Sequence, residues 1–177
     1  MPSFRLRLGA ALVVALACLL GLARPAGAVS STIVVSQVYG GGGNSGATYK
    51  NDFIELYNRS AAPVSVNGWS VQYAATAGTT WQRTAINGTI APGGYYLVQE
   101  AAGAGGTTNL PPPDATGSIA MAAGAGKVVL MSNNTTIASG TVCPLTAVDL
   151  VGYGSGTNCS ETLPTATLSN TTAALRL

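Results

Sequence analysis

Residues 52–58 (DFIELYN) and 64–73 (VSVNGWSVQY) constrain the fold of this 177-residue chain more than any other stretch. Side chains along a strand alternate between two faces, and in the first segment Ile54 and Leu56 fall on one face while Phe53, Glu55 and Tyr57 fall on the other. In the second, Trp69, Val71 and Tyr73 share a face. Asn67-Gly68 supplies the left-handed backbone that a tight turn requires, so the two segments read as strands joined by a short polar crossing.

Short segments of the same kind recur at residues 32–39, 80–86, 95–99, 127–132, 135–139 and 148–153. Many are bounded by turn pairs such as Asn87-Gly88, Pro92-Gly93 and Asn133-Asn134. Helical periodicity is nearly absent past the N-terminal region. This pattern predicts an all-β chain built as an antiparallel sandwich or barrel. The expected core is Val34, Val38, Ile54, Leu56, Trp69, Val71, Leu97, Val128, Leu130, Leu150 and one face of residues 86–90. Residues 40–51, 101–117 and 154–167 read as loops, and no inner linker marks a second domain.

The N-terminus has a different character. Arg5 and Arg7 precede an apolar run from Leu8 to Ala23, followed by the small residues Ala26-Gly27-Ala28. This is the pattern of a secretory signal-peptide helix over residues 1–28, cleaved after Ala28. The apolar run is shorter than the roughly 20 residues a membrane span requires. The remaining residues 29–177 form one domain's worth of chain, secreted, periplasmic or displayed at the cell surface. Without Arg5, Arg7 and Arg24 the whole-chain charge of +2 becomes about −1. A surface so poor in Lys and Arg neutralises few phosphates, which argues against strong nonspecific nucleic-acid binding. Cys143 and Cys159 are the two cysteines left after cleavage, and an even pair in an exported chain reads as one disulfide.

Catalytic chemistry is hard to place. The chain has no His, which removes the Ser-His-Asp constellation, and two cysteines without His do not complete a zinc site. The glycine run at residues 40–46 lacks the Lys-Ser or Lys-Thr of a phosphate loop and reads as a flexible hairpin connection. Asp52 and Glu55 lie three apart on one strand, on opposite faces, and make no acid/base pair. Asp52 with Asn44 offers oxygen ligands for a weak calcium site, without the regular acidic spacing of such loops. Glu55 is expected to pair with Arg59 or Arg83 across strands. No catalytic residue, cofactor or firm metal ligand is assigned.

Four segments resemble the lamin tail domain, an immunoglobulin-like β-sandwich. Residues 33–39 (IVVSQVY) resemble its first strand, and residues 52–58 its acid-Phe-Ile-Glu-Leu-x-Asn strand. Residues 64–73 resemble the Gly-Trp strand that follows, and residues 90–99 (IAPGGYYLVQ) the Pro-Gly turn and its strand. The glycine-rich insertion before Asp52 resembles the exported bacterial form, which often precedes a secreted nuclease or phosphoesterase. The resemblance implies a non-catalytic binding or tethering module, standing alone or as the accessory domain of an extracellular nuclease. Its expected partner is an extracellular protein, a polysaccharide or a hydrolase domain. The expected contact surface is the loop bearing Tyr49, Lys50, Asn51 and Asp52, with the Pro-rich turn at residues 111–114. Two rival readings are a nuclease or phosphodiesterase fragment without its catalytic domain, and a polysaccharide-binding sandwich with Trp81 and Tyr95 or Tyr96 as stacking platforms.

Overall fold

The computed structural model describes residues 30–176; the expected signal peptide and its cleavage after Ala28 lie outside them. The described chain runs through β1 (Ile33–Tyr39), β2 (Asn51–Asn58), β3 (Val64–Ser65), β4 (Trp69–Ala75), β5 (Gln82–Ile86), β6 (Thr89–Ile90), β7 (Tyr95–Ala102), β8 (Ala115–Thr116), β9 (Gly126–Met131), β10 (Asp149–Tyr153) and β11 (Ala174–Leu175), with no helix. One sheet has the order β11-β1-β2-β7-β8, the other β10-β9-β4-β5, and β3 and β6 form a small ribbon. Every pairing between these strands is antiparallel except the short parallel contact of β8 with β7. The result is an immunoglobulin-like sandwich.

The inner faces meet as alternation predicts. Val35, Val38, Ile54, Leu56, Tyr96 and Val98 from one sheet pack on Val71, Tyr73, Ile86, Val128, Leu130 and Tyr153 from the other. Burying side chains of this size contributes about 1.5–3 kcal/mol each, and the sum offsets the conformational entropy of so many loop residues.

Three expected core residues sit elsewhere. Val34 pairs with Tyr57 and shares its outer face, and the bulge after Val35 leaves Val35 and Val38 pointing inward. Leu97 is half-buried on the outer face, because Ile54 pairs with Val98 and Leu56 with Tyr96, which turns those residues inward. Tyr95, Tyr96, Leu97 and Val98 are all apolar or aromatic, so alternation alone leaves the phase of β7 open, and pairing with β2 sets it. Leu150 pairs with Val129, and both belong to a second cluster on the outer face of the four-stranded sheet.

That second cluster explains a further departure. Residues 135–139 form no strand. They lie over the outer face of the four-stranded sheet, where Gln72 Nε2 donates to the Thr135 carbonyl at 2.8 Å and Gln72 Oε1 accepts from the Ile137 amide at 2.9 Å. Ser70 Oγ donates to the Asn133 carbonyl at 2.8 Å. The outward polar residues of β4 thus satisfy the backbone of an irregular cap, which a buried loop requires.

The glycine-rich segment is likewise not a flexible connection. A Cβ on Gly42 would stand 1.9 Å from the Asn51 carbonyl carbon, and Gly43 has φ +68° with its Cα against the backbone of Gly103. Gly43 donates to the Tyr49 carbonyl and Gly105 to the Gly43 carbonyl. Glycine is needed here because backbone packs directly on backbone.

Candidate functional site

The polar residues of β2 divide by face. Asp52 and Asn58 share the inward parity of Ile54 and Leu56, and both are buried. Asp52 Oδ1 accepts the Gly42 amide and Oδ2 the Met121 amide, each at 2.8 Å. Asn58 donates through its side-chain amide to the carbonyls of Ala62 and Ile90 at 2.9 Å. The two residues fasten the loops at opposite ends of the strand.

Asp52 has a buried neighbour in Glu100, which is 1% exposed and accepts the Ile119 amide at 2.9 Å. Its other carboxyl oxygen and the hydroxyl of Thr84 are buried without a partner. Burial pushes Asp52 up to about 6 and Glu100 up to about 7, the latter raised further by the Asp52 charge. This pair is sealed inside the sandwich with the Tyr73 and Tyr153 hydroxyls close by.

The residues expected to form a binding loop part company. Asp52 faces inward, and Asn51 donates its side-chain amide to the Glu100 carbonyl at 2.9 Å. Tyr49 packs edge-on against Tyr39 and Phe53, with ring centroids 5.8 Å away in both cases. Lys50 alone of the four is exposed. Asn44 donates to Asn170 Oδ1 at 3.1 Å, while both Asp52 oxygens are engaged by backbone amides, so the calcium candidates do not converge. Among the described residues no group of three or more His, Cys, Asp or Glu stands together to hold a metal ion. The Pro-rich turn is tied to β7, where Asp114 Oδ2 accepts the Leu97 amide at 2.8 Å.

The two outer faces of the sandwich differ. Over the four-stranded sheet, Trp81 is buried beneath the cap and donates its indole N–H to the Thr141 carbonyl at 2.8 Å. The expected disulfide joins Cys143 to Cys159 across this cap, with Cα atoms 5.3 Å apart. Lys127, fully buried below it, donates to Asn158 and to the Val142 carbonyl and lies 5.3 Å from the centre of the Trp81 ring. Trp81 is therefore no stacking platform. Tyr96 is not one either: it is buried in the core, with its hydroxyl donating to the Asn87 carbonyl.

The outer face of the five-stranded sheet is open among the described residues. Val34, Ser36, Glu55, Tyr57, Arg59, Tyr95, Leu175 and Arg176 line a shallow depression of about 660 Å³. Tyr57 and Tyr95 are register partners on β2 and β7, with ring centroids 4.8 Å apart and planes 39° apart, and Tyr95 is 63% exposed. Glu55 does not pair with Arg59 or Arg83. It accepts the Ser36 hydroxyl at 2.7 Å, while Arg83 donates to Asn134 and both ion pairs among the described residues belong to Arg176. A bulge between Val35 and Gln37 turns Ser36 toward that carboxylate. Tyr57 carries a signal readable in sequence, since it shares the outward parity of Glu55; the open face itself depends on where the caps lie.

Fold and surface together define a disulfide-stapled immunoglobulin-like sandwich with one outer face covered and the other presenting aromatic and charged side chains. Residues 26–154 match the family described as Lamin Tail Domain, and the chain belongs to that family, a non-catalytic one. No curated protein matches the chain. A solved DUF4876 family protein from Bacteroides thetaiotaomicron VPI-5482 is similar at 13% identity and a TM-score of 0.48, over 72% of this chain and 55% of its own length. The chain thus spans little more than half of that protein.

Proposed function

We propose that this lamin tail domain is an exported, non-catalytic binding or tethering module whose contact surface is the outer face of its five-stranded sheet. One observation carries the reading. In the signature strand, Asp52 and Asn58 are engaged inside the fold, whereas Glu55 and Tyr57 stand on the open face beside Tyr95. Residues that a stable sandwich does not need for its core are placed where a partner reaches them. The disulfide and the N-terminal sequence pattern support export, and service as the accessory domain of an extracellular nuclease fits the same surface.

Fractionation of cells that express the full chain tests this. The expected result is an N-terminus beginning at Val29, retention on the cell envelope, and release into the medium when Tyr57 and Tyr95 are both changed to Ala. Purified protein is expected to leave DNA intact with Mg²⁺ or Ca²⁺ present. Equal partition of the variant and the parent, or DNA cleavage, overturns the proposal.

A further inference from the structure

We propose that the open sheet face binds a polysaccharide chain, with Tyr57 and Tyr95 as the stacking platform and Glu55 and Arg59 as the groups that read hydroxyls. The inference rests on the binding-module reading and names its ligand class.

The chemistry of the face selects among polymers. A sugar ring combines an apolar C–H face with a rim of hydroxyls that both donate and accept. Tyrosine presents a rigid, amphipathic ring at low conformational cost. The ordered Glu55 carboxylate, held by Ser36, accepts from hydroxyls, and the exposed Arg59 donates to them. Gln37 opposes Glu55 on β1, and Gln99 opposes Phe53 on β7, both half-buried on this sheet. From Tyr57 to Glu55 the strand runs about 7 Å, and Phe53 beyond it is covered by the Tyr39 and Tyr49 rings.

Other polymers fit less well. A nucleic acid would meet the Glu55 carboxylate, and Arg176 offers it little because its guanidinium is paired with Asp149 and Glu161, each at 3.0 Å. A lipid surface would bury Ser36, Glu55 and Arg59 against apolar chains. The depression is open and shallow, which suits a polymer lying along the strands rather than a small molecule held in an enclosed pocket.

Affinity electrophoresis of the purified protein through gels containing xyloglucan, hydroxyethylcellulose, laminarin, pullulan or glucomannan tests the proposal, with sedimentation on insoluble cellulose, chitin and peptidoglycan. At least one glycan is expected to retard or sediment the protein. Tyr95→Ala and Glu55→Gln are expected to weaken that binding at least tenfold, and Tyr95→Trp to preserve it. Tyr95 is exposed, so its variants are expected to melt with the parent, and a melting scan verifies this. Loss of envelope retention in the Tyr57/Tyr95 variant with no glycan bound overturns the ligand class and leaves the binding-module reading standing. Glycan binding that is equal in all variants, or binding only to duplex DNA or to anionic phospholipid vesicles, overturns the proposal outright.

Discussion

Lys127 Nζ donates to Asn158 Oδ1 at 2.7 Å, and Asn158 is the residue immediately before Cys159. The same ammonium donates at 2.8 Å to the carbonyl of Val142, the residue immediately before Cys143. One buried lysine therefore holds both arms of the disulfide, with the Trp81 ring beneath it. Burial lowers its pKa, and the two acceptors and the ring compensate for part of the lost hydration.

Replacing Lys127 with Met keeps the apolar stem and removes both hydrogen bonds. The expected loss is about 2 kcal/mol, measured by urea denaturation followed through tryptophan fluorescence. Unchanged stability would mean that the cap is held by its apolar contacts alone.

Opening the disulfide acts on the same cap by a different route. The bridge spans a sequence separation of 16, for which loop-closure entropy predicts about 3 kcal/mol. The Cys143→Ser/Cys159→Ser variant is expected to lose that amount and to shift Trp81 emission to the red as the cap loosens. The core between the sheets should remain, as read by far-ultraviolet circular dichroism.

Stability should fall as the solution moves from mildly acidic to mildly alkaline. Glu100 rises from 4.5 to about 7 and Asp52 from 3.8 to about 6 on folding, so the folded protein binds more protons than the unfolded chain between those values. The stabilisation is complete below the unfolded values and is lost as pH climbs through 6 and 7. For Glu100 the effect is at most about 3 kcal/mol. Glu100→Gln is expected to flatten the upper part of the profile and to raise the melting temperature at pH 8 relative to the parent. A melting temperature that climbs from pH 5 to pH 8 in the parent would contradict this account.

Gly42→Ala is a substitution in a loop that sequence alone treats as tolerant. Its Cβ would stand 1.9 Å from the Asn51 carbonyl carbon and 2.2 Å from the Asp52 amide nitrogen, so backbone must move. The expected cost is about 2–3 kcal/mol. Gly124→Ala, whose Cβ would meet only ordinary contacts at 3.6 Å and beyond and whose φ, like that of Gly42, is not positive, serves as the control.

The sequence determined the architecture. The alternation of residues 52–58 and 69–75, the Asn67-Gly68 turn and the spacing of the later strands specify a sandwich, because one buried face per strand is a local property. The Cys143–Cys159 bridge was legible because residues 29–177 hold two cysteines and no His, which leaves a zinc site short of ligands. Tertiary structure decided which face of β7 is inner, since four apolar or aromatic residues in a row carry no phase and only pairing with β2 supplies one. It decided that Trp81 is a buried strut and Tyr95 an exposed platform, because the cap over residues 70–72 arrives from residues 132–147, far along the chain. It also turned the glycine-rich segment from a supposed flexible link into packed backbone, a contact that depends on residues 103–105 approaching residues 43–44. Short-range alternation fixes which residues seek burial, whereas long-range packing fixes which face remains open to a partner.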